Sequence, residues 1–255
     1  MGHIIAIVNQ KGGVGKTTTT VNLGAYLVEA GKTVLLVDLD PQANATSGLG
    51  VEHQKLEAGI YEALLGQQSL TSVIQNTSKP GYNVAPATVS LAGAGIELVT
   101  IENREFRLAL MLEEVRSEYD YIIIDGPPSL GLLTINSLVA ADSVLIPIQS
   151  EYYALEGLGQ LLETINLVRD NLKPSLEIMG TVVTMFDRRN KLSGAVLEEL
   201  KQFFPGKVFE TLIPRSVKLA EAPSFGKSIL DYDPKSSGAK AYFALAEEII
   251  ALEII

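Results

Sequence analysis

The chain has 255 residues, of which 47% are hydrophobic and 20% charged, and its formal net charge is −10. This composition is typical of a folded globular protein, and we expect residues 1–255 to form one domain around a single core. The lack of cysteine excludes disulfides, zinc-thiolate sites, iron–sulfur clusters and thiol nucleophiles, and it favours a cytoplasmic location. Because no apolar run reaches about 18 residues and a strand begins almost at once, we expect neither a membrane span nor a signal peptide.

Short apolar runs alternate along the chain with longer segments of helical periodicity. The predicted strands are residues 4–8, 33–37, 82–86, 121–125, 143–148, 178–186 and 207–213. The predicted helices are residues 16–30, 59–66, 102–118, 130–140, 153–172, 191–204 and 236–253. Most of the strands are apolar on both faces, as in a parallel sheet covered by helices. The alternation predicts a doubly wound α/β fold with a mostly parallel sheet, helices on both faces and a ligand at the carboxyl ends of the strands.

A glycine-rich loop follows the first predicted strand and leads into the first predicted helix. Its glycines let backbone N–H groups turn toward phosphate oxygens, and the helix N-terminus adds its dipole. Lys16 is expected to reach the terminal phosphates, and Thr17 to offer its hydroxyl to Mg²⁺. This order is that of a P-loop NTPase, although Gln10 stands where the usual pattern has glycine. The predicted nucleotide-binding residues of the loop are Lys11, Gly12, Gly13, Val14, Gly15, Lys16, Thr17 and Thr18.

Aspartates stand at the ends of two further predicted strands. Asp125 ends one apolar run, and Asp38 and Asp40 follow another. An aspartate placed this way beside a P-loop holds Mg²⁺, usually through its waters, and we assign that role to Asp125. Asp38 and Asp40 either cap their turn or act on the ligand, with Asp38 at the metal and Asp40 orienting the water that attacks the γ-phosphate.

Several of these motifs together resemble the deviant Walker A ATPases: Lys11, the Asp38–Gln42 segment and the Asp125–Pro128 segment. Within that group the chain is similar to the ParA/Soj chromosome-partitioning family, and the similarity runs nearly end to end. The segments that carry it are residues 44–50, 128–131, 151–157, 213–215 and 221–227.

The resemblance implies a weak ATPase that uses ATP and Mg²⁺ and forms an ATP-dependent sandwich homodimer. Lys11 then crosses to the partner's nucleotide, Gly12 and Gly13 let the two loops approach, and the water-positioning carboxylate falls on Asp40. Lys11, Lys16 and Asp40 are accordingly the expected catalytic residues. The adenine base is expected near Pro214 and Ser216. The implied protein partner is a ParB/Spo0J-type centromere-binding protein that accelerates hydrolysis.

The resemblance also implies nonspecific binding of double-stranded DNA on the nucleoid, which the net charge of −10 by itself argues against. The charge is uneven, however, since residues 1–184 hold 10 Lys and Arg against 20 Asp and Glu, and residues 188–240 hold 10 against 6. Arg189 and Lys218 match family positions assigned to DNA contact, and Arg188 and Lys191 lie close to Arg189 in sequence. Ordinary solvation is the alternative for these side chains. Aromatic residues are not interleaved with them, which favours duplex backbone over single strands.

Two alternatives use the same fold. A septum-positioning ATPase would carry a basic, amphipathic C-terminal helix for anionic membrane, but residues 241–255 contain three glutamates, Glu253 among them, and no basic residue. We therefore expect no membrane binding and expect its apolar stripe to pack on the sheet. The stripe consists of Phe243, Leu245, Ile249, Ile250 and Leu252. A non-hydrolysing nucleotide-binding module would lack Lys16 or Asp40, and both are present.

The two histidines of the chain, His3 and His53, have no partner at metal-ligand spacing. We expect each to be a surface or core residue. Isolated histidines of this kind do not indicate a Ser-His-Asp arrangement.

Overall fold

An eight-stranded sheet lies at the centre of the fold. The structure is a computed structural model that describes residues 2–151 and 154–252. The strands are β1 His3–Ile7, β2 Val34–Asp38, β3 Gln75–Asn76, β4 Tyr82–Ala85, β5 Tyr121–Asp125, β6 Ser143–Gln149, β7 Glu177–Phe186 and β8 Val208–Pro214. Their order across the sheet is β3-β4-β2-β5-β1-β6-β7-β8, and each neighbouring pair is parallel except β3 with β4. Parallel strands place all their carboxyl ends along one edge, where a ligand site forms.

Helices cover both faces of this sheet. They are α1 Lys16–Glu29, α2 Asn44–Gly48, α3 Ile60–Leu64, α4 Leu70–Val73, α5 Ala94–Glu97, α6 Arg107–Val115, α7 Leu132–Ala140, α8 Ala154–Asn171, α9 Lys191–Phe203, α10 Val217–Glu221, α11 Ile229–Tyr232 and α12 Ser237–Ile250. Successive strand residues point to opposite faces, so Ile4 and Ala6 of β1 join one apolar layer while Ile5 and Ile7 join the other. The first layer includes residues of α6, α7, α8 and α9, and the second includes residues of α1 and α12.

The observed architecture confirms the predicted doubly wound α/β fold, and each of the seven predicted strands is present to within one residue at either end. Strand β3 was not predicted, because its residues Gln75 and Asn76 are polar and it lies at the sheet edge. The predicted start of the fifth helix at Tyr153, its neighbour Tyr152 and the predicted end of the last helix at Glu253 lie outside the described residues.

The single helix predicted over residues 102–118 is wrong in extent. The structure has α6 at Arg107–Val115, with a 3-10 turn on either side of it. Asn103 adopts a positive φ of 55°, which no α-helix tolerates in its interior. The Asn136 side chain on α7 also accepts a hydrogen bond from Leu108 N at 3.1 Å and donates one to Arg104 O at 2.8 Å. These contacts from α7 set where α6 begins, and no local sequence pattern encodes them.

The apolar stripe of the last helix packs mainly inward. Leu245 and Ile249 are fully buried, which agrees with packing on the sheet, where α12 contacts α1 and β8. Phe243 does not follow this prediction, because it is 50% exposed and meets the ring of Tyr26 edge-on at a centroid distance of 6.0 Å. None of the helices in residues 2–151 and 154–252 is both long and apolar enough to span a membrane.

Candidate active site

The loop between β1 and α1 contains glycines, which leave its backbone N–H groups accessible to a ligand. Gly13 and Gly15 adopt φ angles of 75° and 89°, a region that residues with a Cβ rarely enter. The Asn9 side chain braces the loop, since its Oδ1 accepts from Lys11 N at 3.0 Å and its Nδ2 donates to Pro147 O at 2.8 Å. The loop therefore delivers the N-terminus of α1, with its unpaired N–H groups, to the carboxyl edge of the sheet.

Lys16 begins α1 and is buried at 6% exposure. Its Nζ donates to Lys11 O at 3.3 Å, which folds the side chain back over the loop. Burial lowers the pKa of the Lys16 ammonium, whereas the nearby carboxylates of Asp125 and Asp40 favour its charged form. A buried ammonium with one carbonyl acceptor retains donors for an anion in the cavity.

Asp125 at the end of β5 is fully buried, and two hydroxyls of α1 meet its carboxylate. Thr17 Oγ1 lies 2.8 Å from Asp125 Oδ2, and Thr20 Oγ1 lies 2.9 Å from Asp125 Oδ1. Burial raises the pKa of Asp125 to about 7, and the charge of Asp38 adds to the rise. The Thr17 hydroxyl and the Asp125 carboxylate are therefore in contact, as a shared Mg²⁺ site requires.

Asp38 and Asp40 are used differently, although they are two residues apart. Asp38 Oδ2 accepts from Thr46 N at 2.8 Å and from Thr46 Oγ1 at 2.7 Å, and its Oδ1 accepts from Asp40 N at 3.1 Å. Asp40 Oδ1 accepts from Gln42 N at 3.0 Å, and Asp40 lines the cavity described next. Both carboxylates thus cap the turn after β2, and of the two it is Asp40 that faces the cavity.

A cavity of about 610 Å³ brings six of the eight predicted loop residues together with Asp40. Its lining consists of Gly12, Gly13, Gly15, Lys16, Thr17, Thr18, Val21, Asn22, Asp40, Gln42, Asn44, Ser47, Gly48, Pro128, Met185, Pro223, Ser224 and Lys227. Its chemistry fits a magnesium nucleotide, since loop residues and the two lysines Lys16 and Lys227 supply hydrogen-bond donors for phosphates, while the Thr17 hydroxyl beside the Asp125 carboxylate suits Mg²⁺. Mg²⁺ normally takes only one or two protein ligands and keeps waters and phosphate oxygens for the rest.

Val14 belongs to the loop but is 1% exposed and forms part of the core instead of the cavity wall. Lys11 points away from Lys16 and forms an ion pair with Glu151, with Nζ 3.3 Å from Oε2. About a third of the Lys11 side chain is exposed, so this pair is weakly held. Lys11 is thus free to leave Glu151 for a stronger anion.

The residues predicted to hold adenine, Pro214 and Ser216, are not among the described residues that line this cavity. Pro214 is the register partner of Phe186 on β7, directly after Met185 of the cavity wall. Met185 adopts a positive φ of 51°, which is rare for a residue with a side chain and is often seen at functional sites. Pro214 instead lines a second cavity.

A second cavity, of about 810 Å³, collects part of the predicted DNA-binding residues. Arg188 and Arg189 line it with Arg215 and Lys240, opposite the acidic Asp187 and Glu210. The Arg189 side chain is 92% exposed and pairs with Asp187 at 3.2 Å. Elsewhere, Lys191 begins α9 and is exposed. Lys218 on α10 pairs with Glu221 at 3.0 Å.

Neither histidine is among the described residues that line the two cavities, although His53 contacts Ser47 of the first cavity wall, and His3 has partners that sequence spacing did not indicate. His3 Nε2 lies 2.8 Å from Ser143 Oγ, and His3 Nδ1 lies 3.8 Å from Asp142 Oδ2. His3 thus lies between a serine and an aspartate, an arrangement that its isolated position in the sequence did not indicate. Asp142 also pairs with Arg116 at 2.6 Å, and Ser143 is buried at 4% exposure, so the group links elements of the fold. His53 Nδ1 lies 3.1 Å from Ser47 Oγ.

Comparisons with known proteins establish the family of the chain. A family model described as an AAA domain matches residues 2–178. The sporulation initiation inhibitor protein Soj of Bacillus subtilis is 57% identical over 251 residues, which cover 98% of this chain and 99% of that protein. The chromosome partitioning protein ParA of Myxococcus xanthus is 54% identical, covering 98% of this chain and 88% of that protein. The chain belongs to the ParA/Soj family.

A solved structure extends the comparison from sequence to shape. Cobyrinic acid a,c-diamide synthase from Mycobacterium smegmatis, solved with bound ADP and magnesium, superposes with a TM-score of 0.88 at 38% identity. The match covers 98% of this chain and 94% of that chain. The ParA/Soj chain therefore has the fold of a P-loop protein that binds a magnesium nucleotide.

Sequence reasoning missed three residues that complete the site of this ParA/Soj protein. Thr20 meets Asp125, Thr46 meets Asp38, and Met185 lines the cavity from β7. Thr20 lies one helical turn beyond Lys16, a spacing that could have placed it beside Thr17. Met185 carries no such signal. Thr46 stands in the 44–50 segment and only eight residues from Asp38, but its contact with Ala87 spans 41 residues and is set by the tertiary structure.

Proposed function

We propose that this ParA/Soj protein is an ATP hydrolase that acts in DNA partitioning as one domain of 255 residues. The observation that carries the proposal is the single cavity that joins Lys16, Thr17 and Asp40, with Asp125 bonded to Thr17 behind it. Hydrogen-bond donors for phosphate, a pair of side chains suited to Mg²⁺ and a carboxylate that can orient water thus converge on one cavity. The high identity to Soj and ParA proteins supports the same conclusion.

The proposed roles follow from what each side chain faces. Lys16 and the loop N–H groups bind the phosphates, and Thr17 and Asp125 hold Mg²⁺, with Asp38 behind them as the register partner of Asp125. Mg²⁺ held there would neutralise part of the phosphate charge. Asp40 orients the water that attacks the γ-phosphate, because it is the carboxylate of the turn that lines the cavity.

Dimerisation on ATP is the second part of the proposal. Lys11 leaves its exposed pair with Glu151 and reaches the nucleotide of a second copy, where phosphate charge offers a stronger partner. Gly12 supports this, since a Cβ added there would meet no atom within 4 Å in its own chain, so the glycine leaves room for a second loop.

Binding to duplex DNA is the third part of the proposal. Arg188, Arg189, Lys191 and Lys218 contact the phosphates of duplex DNA without reading sequence, and this contact holds the dimer on the nucleoid. Two copies of each cation on one duplex strengthen binding where one copy is too weak, so ATP turns binding on. A ParB/Spo0J-type protein then accelerates hydrolysis and releases the DNA.

Turnover of ATP with Mg²⁺ tests the proposal. The purified protein should hydrolyse ATP slowly, on the order of 10⁻⁴ to 10⁻³ per second, as is typical of P-loop NTPases without an arginine finger. Lys16→Ala should show none, which excludes a contaminating ATPase. Size measurement with ATP, ADP and no nucleotide should give a dimer with ATP alone. Turnover by the isolated protein above about one per second, or equal turnover by Lys16→Ala, would contradict the assignment.

A further inference from the structure

Thr46 is buried in α2 between the end of β2 and the end of β4 and does not line the nucleotide cavity. Its hydroxyl donates to Asp38 Oδ2 at 2.7 Å, and its N–H donates to the same oxygen at 2.8 Å. The hydroxyl oxygen in turn accepts from Ala87 N at 3.1 Å. A hydroxyl has one proton, so these two contacts together fix its direction.

The Asp38 carboxylate connects Thr46 to Asp40 through hydrogen bonds. Asp38 Oδ1 accepts from Asp40 N at 3.1 Å, so one carboxylate joins the backbone of Asp40 to Thr46. The turn is closed by Gln42 N, which donates to Asp40 Oδ1 at 3.0 Å, and by Ala43 N, which donates to Asp40 O at 2.9 Å. The direction of the Asp40 side chain thus depends on a turn that Asp38 holds.

The link reaches a rigid part of the fold. Ala87 follows β4, and β4 pairs with β2 in register from Val34 with Tyr82 to Val37 with Ala85. Thr46 is therefore braced by Ala87, directly after β4, and holds Asp38 at the end of β2. A carboxylate fixed by three donors at 2.7 to 3.1 Å has little freedom to rotate.

We propose that Thr46 is a positioning residue for ATP hydrolysis, which orients Asp40 through Asp38 without touching the nucleotide. The inference rests on the proposed function, in which Asp40 orients the attacking water. Reaction rates depend steeply on such orientation, and a supporting hydrogen bond is what holds a side chain in its productive geometry.

The test is a comparison of Thr46→Val with Thr46→Ser. Valine keeps the shape and the backbone N–H but removes the hydroxyl, whereas serine keeps the hydroxyl. We expect kcat of Thr46→Val to fall about 10- to 100-fold, as for other groups that support a reacting residue, with little change in KM for ATP. Thr46→Ser should restore the rate.

Thr181→Val is the matched control. Thr181 is also fully buried, and its hydroxyl donates to Ile146 O at 2.8 Å within the sheet. Its loss should lower the thermal midpoint of unfolding without lowering kcat. If Thr46→Val does not fold, Thr46→Ala takes its place, since alanine removes the hydroxyl with less crowding.

The possible outcomes distinguish failure of the proposed Thr46 role from failure of the proposed ATP hydrolase function. If the wild-type protein does not hydrolyse ATP, the proposed function fails. If the wild type hydrolyses ATP and Thr46→Val does so equally, the inference alone is overturned. It is also overturned if Thr181→Val loses as much kcat, if serine fails to restore the rate, or if neither the valine nor the alanine variant folds, because Thr46 then has a structural role only.

Discussion

Asp38 and Asp125 are register partners at the carboxyl ends of the neighbouring strands β2 and β5, and neither side chain reaches solvent. Burial raises the pKa of Asp38 to about 6 and that of Asp125 to about 7, and Asp38 adds repulsion at Asp125. The hydroxyls of Thr17 and Thr20 lower the pKa of Asp125 when they donate to it, but burial and the charge of Asp38 outweigh them. Thr20 Oγ1 lies 3.0 Å from Lys16 O, so it can donate there while accepting from Asp125.

The nucleotide-free protein should accordingly lose stability as the pH rises. The pKa of Asp125 rises from 3.8 to about 7 on folding, so over this window the folded chain binds a proton that the unfolded chain releases. Stability then falls as pH increases from about 4 to about 7. Asp125→Asn should melt above the wild type at pH 8 and vary less with pH. Thermal unfolding of both proteins across this range tests this, and a wild type that gains stability relative to the variant on raising the pH would refute it.

Two substitutions should separate nucleotide binding from hydrolysis. Lys16→Ala should abolish ATP binding, because it removes the buried ammonium that faces the phosphates. Asp40→Ala should keep ATP binding and dimerisation but stop hydrolysis, so the dimer persists. Fluorescent nucleotide titration measures the first effect, and phosphate release with gel filtration measures the second. Normal hydrolysis by Asp40→Ala would mean that another residue positions the water.

Gly12→Val should bind ATP yet remain a monomer. A Cβ at Gly12 meets no atom within 4 Å of its own chain, so valine should not disturb the fold but should fill the space that a second loop needs. Gly95→Val is the control, because a Cβ there also meets no atom within 4 Å and Gly95 lies in α5, outside the lining of the cavity. Light scattering with ATP distinguishes them. A Gly12→Val dimer equal to that of Gly95→Val would show that the loops do not meet there.

Arg189→Glu should remove DNA binding and leave ATP-dependent dimerisation intact. The Arg189 side chain is 92% exposed and, among the described residues, pairs with Asp187, so the fold loses little when this surface pair is broken. Lys55→Glu is the charge-matched control, since Lys55 is 74% exposed, pairs with Glu52 and lies between β2 and β4 on the other half of the sheet.

Labelled duplexes of unrelated sequence, titrated against the ATP-bound Asp40→Ala dimer, measure this effect. DNA binding by this dimer, with Arg189 unchanged, should weaken steeply as the salt concentration rises, because binding releases counterions from the DNA. DNA binding that survives Arg189→Glu, falls equally with Lys55→Glu or is as strong with ADP would contradict the proposed ATP switch.

Much of the fold and the glycine-rich loop of the site could be predicted from the sequence, because they depend on residues that are close together along the chain. Apolar runs such as residues 121–125 predict buried strands, and a strand, a glycine-rich loop and a helix in succession predict a phosphate-binding loop. Gly13 and Gly15 need positive φ angles, Lys16 starts the helix, and Asp125 ends its strand whatever the rest of the chain does. The predicted position of the loop before α1 agrees with the structure, and its binding of a nucleotide stays a prediction.

The tertiary structure decided which side chains contact each other. Thr46 meets Asp38 and Ala87 only because β2 and β4 pair, and Asn136 sets the start of α6 from another helix. His3 finds Ser143 and Asp142 about 140 residues away because β1 and β6 are neighbours. No periodicity or motif in the sequence indicates these contacts. Their roles depend on strand order and register, which result from burying the apolar faces of the whole chain at once.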